Sequence, residues 1–188
     1  DPVTAAHICE LAGAEGIVCH LREDRRHIND RDLRLLRDSV KTKLDLEMAA
    51  TDEIVKIAIE TLPELATLVP ERRQELTTEG GLDVRGNRHR LRDVIKELQR
   101  HDIEVSLFVD PVPEQIEAAR EVGTDKIEIH TGQYANARNE RERHELLDVV
   151  RSAAKMARES GLGVNAGHGL NYLNVIPLRQ ITEIEEIS

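Results

Sequence analysis

The chain has 188 residues, 36 Asp+Glu against 26 Lys+Arg and a formal net charge of -10, a length that fits one domain. An acidic surface with three aromatics (Phe108, Tyr134, Tyr172) and no Trp offers little for stacking bases or following a phosphodiester backbone, which sets nucleic acid aside as a partner. No apolar run approaches the roughly 18–20 residues that span a bilayer, no charged-then-apolar leader is read at Asp1, and Cys9 and Cys19 make no disulfide framework, so the expectation is a cytoplasmic protein with no membrane partner.

Asp1-Pro2 places a capping carboxylate before a proline in a first helical turn, and Val3, Ile8 and Leu11 continue at helical spacing to Gly13. Gly16 to Leu21 reads as a strand. Asn29 or Asp30 caps a helix with Leu33, Leu36 and Val40 on one face. Leu44 to Met48 is a second strand, and Thr51-Asp-Glu opens a helix carrying Ile54, Ile57 and Ile59 that stops before Pro63. Leu65 to Val69 is a third strand, closed by Pro70.

The segment Glu71–Asn87 interrupts this rhythm. It runs 17 residues and holds Gly80, Gly81 and Gly86, against the roughly 2–6 residues of an ordinary strand-to-helix connection, which predicts an active-site lid. Helix returns at Arg88–Arg100 and strand at Ile103–Val109. A helix is predicted over Pro113–Val122, a strand over Lys126–His130, and then a loop and a long charged helix to Ser160-Gly161. Leu162–Gly167 is a sixth strand, Val175–Ile181 a helix, and Glu185–Ser188 begins a seventh strand.

Regular alternation of strand and helix argues for parallel β/α units in a single domain over residues 1–188. Strands covered by helices on both faces read as continuous apolar runs. These instead alternate: Val18/His20 against Cys19/Leu21, Asp45/Glu47 against Leu46/Met48, and Lys126/Glu128/His130 against Ile127/Ile129. One face meets helices and the other a polar lumen, which predicts a (β/α)₈ TIM barrel. Six strands and part of a seventh are visible, so the expectation places a first strand before Asp1 and the rest of the last β/α unit beyond Ser188.

In a parallel barrel the C-terminal strand ends share one mouth. His20 closes the first visible strand, Glu47 the second, Glu128 and His130 the fifth, and His168 follows the sixth in Asn165-Ala-Gly-His-Gly-Leu170. Two histidines and two glutamates there supply acids, bases and electrostatic stabilisers to one pocket. Arg22, Arg25 and Arg26 offer planar donors to a phosphate. Each residue has a plainer reading: His20 as a satisfied structural group, Glu47 beside Asp45 as an arm of a lumen ion-pair layer, Arg22–Arg26 as a solvated loop. Four candidates on separate strand ends favour a site. His7, His89, His101 and His144 fall on helix surfaces, and Cys19 points with Ile17 and Leu21 into the core.

Several blocks are long and specific: His20-Leu-Arg-Glu-Asp-Arg-Arg-His-Ile28, Leu46-Glu-Met-Ala49, Leu68-Val-Pro-Glu71, Thr77-Thr-Glu-Gly-Gly-Leu-Asp-Val84, Ile127-Glu-Ile-His-Thr-Gly132 and Val164-Asn-Ala-Gly-His-Gly-Leu170. Together they resemble the pyridoxine 5′-phosphate synthase family of vitamin B6 biosynthesis along the whole chain. The resemblance implies a (β/α)₈ enzyme that condenses 1-deoxy-D-xylulose 5-phosphate with 3-amino-2-oxopropyl phosphate. The products are pyridoxine 5′-phosphate, inorganic phosphate and water, formed without metal or organic cofactor. It implies proton acceptors at His20 and Glu47, a proton donor at His168 and a transition-state stabiliser at Glu128. Arg22, His27 and Thr77 match contacts to the deoxyxylulose phosphate, and Gly169 a contact to the aminoketone phosphate. It also implies dimers grouped into homo-octamers.

The family's first strand carries an Asn, an Asp-His and an Arg, and its last a Gly-His phosphate contact. By resemblance these 188 residues hold only part of both substrate sites. Two further readings stay open: a metal-dependent sugar-phosphate isomerase or aldolase ligating one ion through His20, Glu47, Glu128 and His168, and a non-catalytic phosphosugar-binding protein.

Overall fold

A computed structural model describes residues 1–71 and 80–188. Helix α1 (Pro2–Leu11) leads into β1 (Gly16–His20), then α2 (Asp30–Ser39), β2 (Lys43–Met48), α3 (Asp52–Thr61) and β3 (Leu65–Leu68). After the long connection come α4 (Arg88–Gln99), β4 (Glu104–Val109), α5 (Pro113–Val122) and β5 (Lys126–His130). Two helices follow, α6 (Gly132–Ala135) and α7 (Glu140–Glu159), and then β6 (Gly163–Gly167), a 3₁₀ turn at Pro177–Gln180, and β7 (Glu186–Ile187). The predicted elements are recovered within a residue or two, with two differences. The helix expected at Val175–Ile181 tightens to a single 3₁₀ turn started by Pro177, and α6 was read as loop because four residues are too few to show a period.

The starts and stops have local causes. Asn29 accepts from the amides of Arg31 and Asp32 while the Asp32 side chain takes the Asn29 amide, a complete capping box for α2. Asn139 accepts from the Glu142 amide and opens α7. Thr51 holds the cap position of α3 without a side-chain bond to the helix. That helix ends as Leu62 turns left-handed ahead of Pro63.

All seven strands pair in parallel and in chain order, β1 to β7. The sheet curls strongly. Lys43 on β2 reaches Glu186 on β7, five strands away, with Nζ 2.6 Å from the carboxylate. The result is an α/β half-barrel, its helices outside and its polar residues within. Leu44, Leu46, Leu68, Leu107, Ile127, Ile129 and Val164 are fully buried against Leu36, Ile54, Ile95, Ile116 and Ala154 of the helices. Each such aliphatic side chain contributes about 1.5–3 kcal/mol by leaving water.

The concave face is layered by charge. Toward the strand N-terminal ends Lys43 pairs with Glu186, and Lys126 with Glu104 and Glu185. Asn165 donates to Glu186, and Arg158 joins Glu185 from α7. One level up, Asp45 accepts a hydrogen bond from Thr67 at 2.9 Å. Burial first, then the neighbouring Glu47 charge, pushes the Asp45 carboxyl up to about 7, although the Thr67 bond opposes the rise.

This position should cost stability in a defined window. An unfolded Asp titrates near roughly 4. Below that value both states hold the proton and the site is neutral to folding. As pH rises toward about 7 the folded state keeps a proton that the unfolded state releases, so stability falls across that interval and levels off above it. Asp45→Asn keeps an acceptor for Thr67 and removes the titration. Its melting temperature relative to the parent should therefore be higher at pH 8 than at pH 4.5. An unchanged difference between the two pH values would show that Asp45 is not buried as an acid.

Candidate active site

Parallel pairing fixes which residues meet at the mouth. His20 and Glu47 are register partners at the ends of β1 and β2, and His130 and Gly167 at the ends of β5 and β6. Glu128 lies one layer deeper beside Asn165. The four catalytic candidates read from the sequence thus stand on the same rim or just below it. Cys19 points the other way into the core, where burial followed by the Asp45 and Glu47 charges pushes its thiol up to about 12, outside nucleophile range.

His20 is held between two carboxylates. Its Nδ1 lies 3.4 Å from Glu47 Oε2 and its Nε2 3.1 Å from Glu71 Oε1. Glu71 follows β3, and its other oxygen accepts from the Glu23 amide at 3.0 Å. Burial works to raise the Glu71 carboxyl, but the bonds from His20 and Glu23, with the His20 and Arg22 charges, outweigh it and hold it below the usual range. Glu47 goes the opposite way: burial raises it and His20 only partly offsets the rise. One imidazole therefore bridges an acidic carboxylate and a more basic one. Glu47 takes no part in the lysine-centred layer beneath; its printed ion pair is with His20.

Glu128 is 3% exposed and titrates at about 8. Burial is the main cause, the Glu47 and Asp45 charges add to it, and a hydrogen bond from Ser188 opposes it. Gly167 makes the room: a Cβ there would come within 2.2 Å of Glu128 Oε1. At neutral pH Glu128 is consequently a protonated, uncharged donor.

His168 has a left-handed backbone, φ 86°, and Gly169 continues it at 76°. Thr131 holds the turn, donating from its hydroxyl to the carbonyls of Gly167 and His168. Asn174 donates to the Gly169 carbonyl, and Tyr134 to that of Asn174. The imidazole stacks obliquely near Phe108 and meets His130 edge-on. Burial, then the neighbouring His130, lowers its pKa.

Arg22, 2% exposed, lines a cavity with Glu23, Asp24 and Glu71 just beyond the His20 pair. Arg25 turns aside to Asp30 and Glu53, and Arg26 to Asp24, so the loop's three arginines have different neighbours. His27 is exposed in the same loop. Thr77 lies outside the described residues, as does most of the segment expected to form a lid. Its described end is anchored: the amides of Gly81, Leu82 and Val84 donate to Asp110, Phe108 and Gln115. Sequence reasoning missed Asp110 and passed over Glu71 as one letter of a motif; neither sits inside a strand, where alternation marks a lumen-facing residue. Among the described residues no group of three or more His, Cys, Asp or Glu side chains is arranged to hold a metal ion.

The model of the family described as pyridoxal phosphate biosynthesis protein PdxJ matches residues 1–188. A pyridoxine 5′-phosphate synthase of Trichlorobacter lovleyi is 61% identical over 188 residues, spanning 100% of this chain and 79% of the relative. Another, of Geobacter sulfurreducens, is 58% identical with the same coverage. Among solved structures, phosphoribosyl anthranilate isomerase from Thermus thermophilus has a TM-score of 0.66 at 13% identity, over 98% of this chain and 80% of that one. The BexX/CysO complex of Amycolatopsis orientalis gives 0.66 at 13%, over 100% and 75%. At that identity the likeness is one of fold alone. The sequence matches reach further, and the chain belongs to the PdxJ family of pyridoxal phosphate biosynthesis proteins.

Proposed function

We propose that this chain carries out the pyridoxine 5′-phosphate synthase reaction, condensing 1-deoxy-D-xylulose 5-phosphate with 3-amino-2-oxopropyl phosphate to pyridoxine 5′-phosphate, phosphate and water. The observation that carries the reading is 61% identity, along the whole chain, to a relative bearing that name. The architecture that goes with it is the (β/α)₈ barrel, in keeping with seven parallel strands in chain order curled around a polar lumen. The segment 71–87 is its lid, with Glu71 and the Gly81 stem both at the mouth.

Joining an amine to a ketone forms an imine, after which protons leave carbon, water and phosphate depart, and the ring closes. Several acids and bases must therefore share one pocket. Glu47, raised by burial, is suited to taking a proton from carbon, and His20, in contact with it, to accepting or relaying one. Glu128, uncharged at neutral pH, donates a hydrogen bond to developing negative charge. His168, when protonated, is a stronger acid than an ordinary imidazolium and gives its proton readily to a leaving group. Arg22, His27, Thr77 and Gly169 are assigned to the two phosphorylated substrates. Every one of these steps is proton transfer or anion binding, so the reading calls on neither metal nor organic cofactor.

Glu47→Gln keeps the shape and removes the base, so turnover should fall by about 10²-fold or more while KM changes far less. Near-parental turnover would return Glu47 to a structural role. A second outcome tests Glu128. Its neutral form is lost as pH rises through about 8, so parental kcat should decline on that alkaline limb. Glu128→Gln, uncharged at every pH, should lack that limb and retain more activity than Glu128→Ala. The same limb in parent and Gln variant would mean the limb belongs to another group.

A further inference from the structure

Asp110 stands one residue beyond β4. Its Oδ1 accepts two hydrogen bonds, from Nδ1–H of His130 at 2.9 Å and from the Gly81 amide at 3.1 Å. His130 is 6% exposed, and its ring is constrained on every described side. The Phe108 ring lies 5.0 Å away at 54°, and the His168 ring 5.0 Å away at 69°. Nε2 occupies the place of a missing side chain: a Cβ on Gly132 would stand 2.4 Å from it. His168 is held quite differently. Among the described residues no hydrogen bond reaches its imidazole; its ring contacts are His130 and Phe108.

We propose that Asp110 and His130 are positioning residues for His168: Asp110 locks His130 in one tautomer and one ring plane, and the edge of that ring sets where the His168 imidazole stands at the mouth. A carboxylate oxygen can only accept, so the bond to Asp110 requires the His130 proton on Nδ1. The terminal torsion of a histidine is broad and nearly two-fold, so without that bond the ring has a second orientation of similar energy. A flipped ring would present a different edge to His168. A proton donor works only within hydrogen-bond reach of its target, and a misplacement of about 1 Å costs on the order of 10²-fold in rate. The inference rests on the assignment of His168 as the acid.

The competing role is a clamp, in which Asp110 merely ties the Gly81 stem to β4. Asp110→Asn and His130→Gln, made in the protein as the cell produces it and labelled with ¹⁵N-histidine, distinguish the two. Both variants should lower kcat by about tenfold or more with KM for each substrate within about threefold, since the interaction matters in the transition state. The ¹⁵N shifts of parental His130 should show one tautomer, protonated on Nδ1, and those of Asp110→Asn a mixture, with the His168 signals displaced. Adding Asp110→Asn to His168→Gln should cost nothing further, because both act through one group.

The proposal is overturned by parental kcat in the variants, by kcat falling only together with KM and melting temperature, or by full additivity in the double variant. A parental His130 protonated on Nε2 alone overturns it with no variant at all. His168→Gln keeps the two levels apart. If that variant turns over normally, the acid assignment fails; if it is inactive while Asp110→Asn is normal, the positioning role alone fails.

Discussion

Every strand of this sheet runs the same way, and that constraint organises the rest of the molecule. With parallel pairing in chain order, each strand delivers its C-terminal residue and the following loop to one rim. Side-chain direction alternates along a strand, so a register set by packing on the outer face also decides which residues look inward. Leu44, Leu46 and Met48 bury completely against helices, and Asp45 and Glu47 then have no choice but the lumen. The core thereby positions the chemistry without touching it. A one-residue slip of β2 would put two carboxylates under α3 and three apolar side chains in water.

Packing several carboxylates into one lumen makes the charge arrangement decisive. The two lumen lysines, Lys43 and Lys126, sit low, where they engage Glu104, Glu185 and Glu186. Above them Asp45, Glu47 and Glu128 are close enough to raise one another and have mainly burial and hydroxyl bonds to shape their titration. The low layer is structural neutralisation; the high layer stores proton affinity. Glu71 shows what the same residue type does near the rim, where His20, Arg22 and an amide hold it ionised. Two glutamates on either side of one histidine are thus pushed apart in basicity by their surroundings alone.

The sequence made much of this legible because strand alternation is a two-residue signal that survives in short segments. Asp45/Glu47 and Lys126/Glu128/His130 announced a polar lumen, and Gly167-His168-Gly169 announced a close approach of backbone. What stayed hidden has no period. Asp110 lies in Asp-Pro-Val-Pro and reads as an ordinary turn residue, its importance visible only when β4 and β5 stand side by side and His130 turns toward it. Helix α6 is a single turn after Gly132. The plainer reading of Glu47, as an arm of an ion-pair layer, was also open from sequence, since its separation from Lys43 and Lys126 by height in the lumen requires coordinates.

The backbone at His168 connects these layers to function. A non-glycine residue at φ 86° stores local strain, on the order of 1–3 kcal/mol, and persists only where its surroundings over-determine it. Here they do. Thr131, fully buried, donates to two successive carbonyls of the turn and also opens α6; Asn174 holds the Gly169 carbonyl, and Tyr134 of α6 closes the circuit by donating to Asn174. The helix that sequence periodicity could not reveal is therefore part of the clamp on the turn it could. A relaxed backbone at residue 168 would point the ring elsewhere than at His130 and Phe108. The strain, the threonine and the short helix are one device, and its output is the direction of a single imidazole at the mouth.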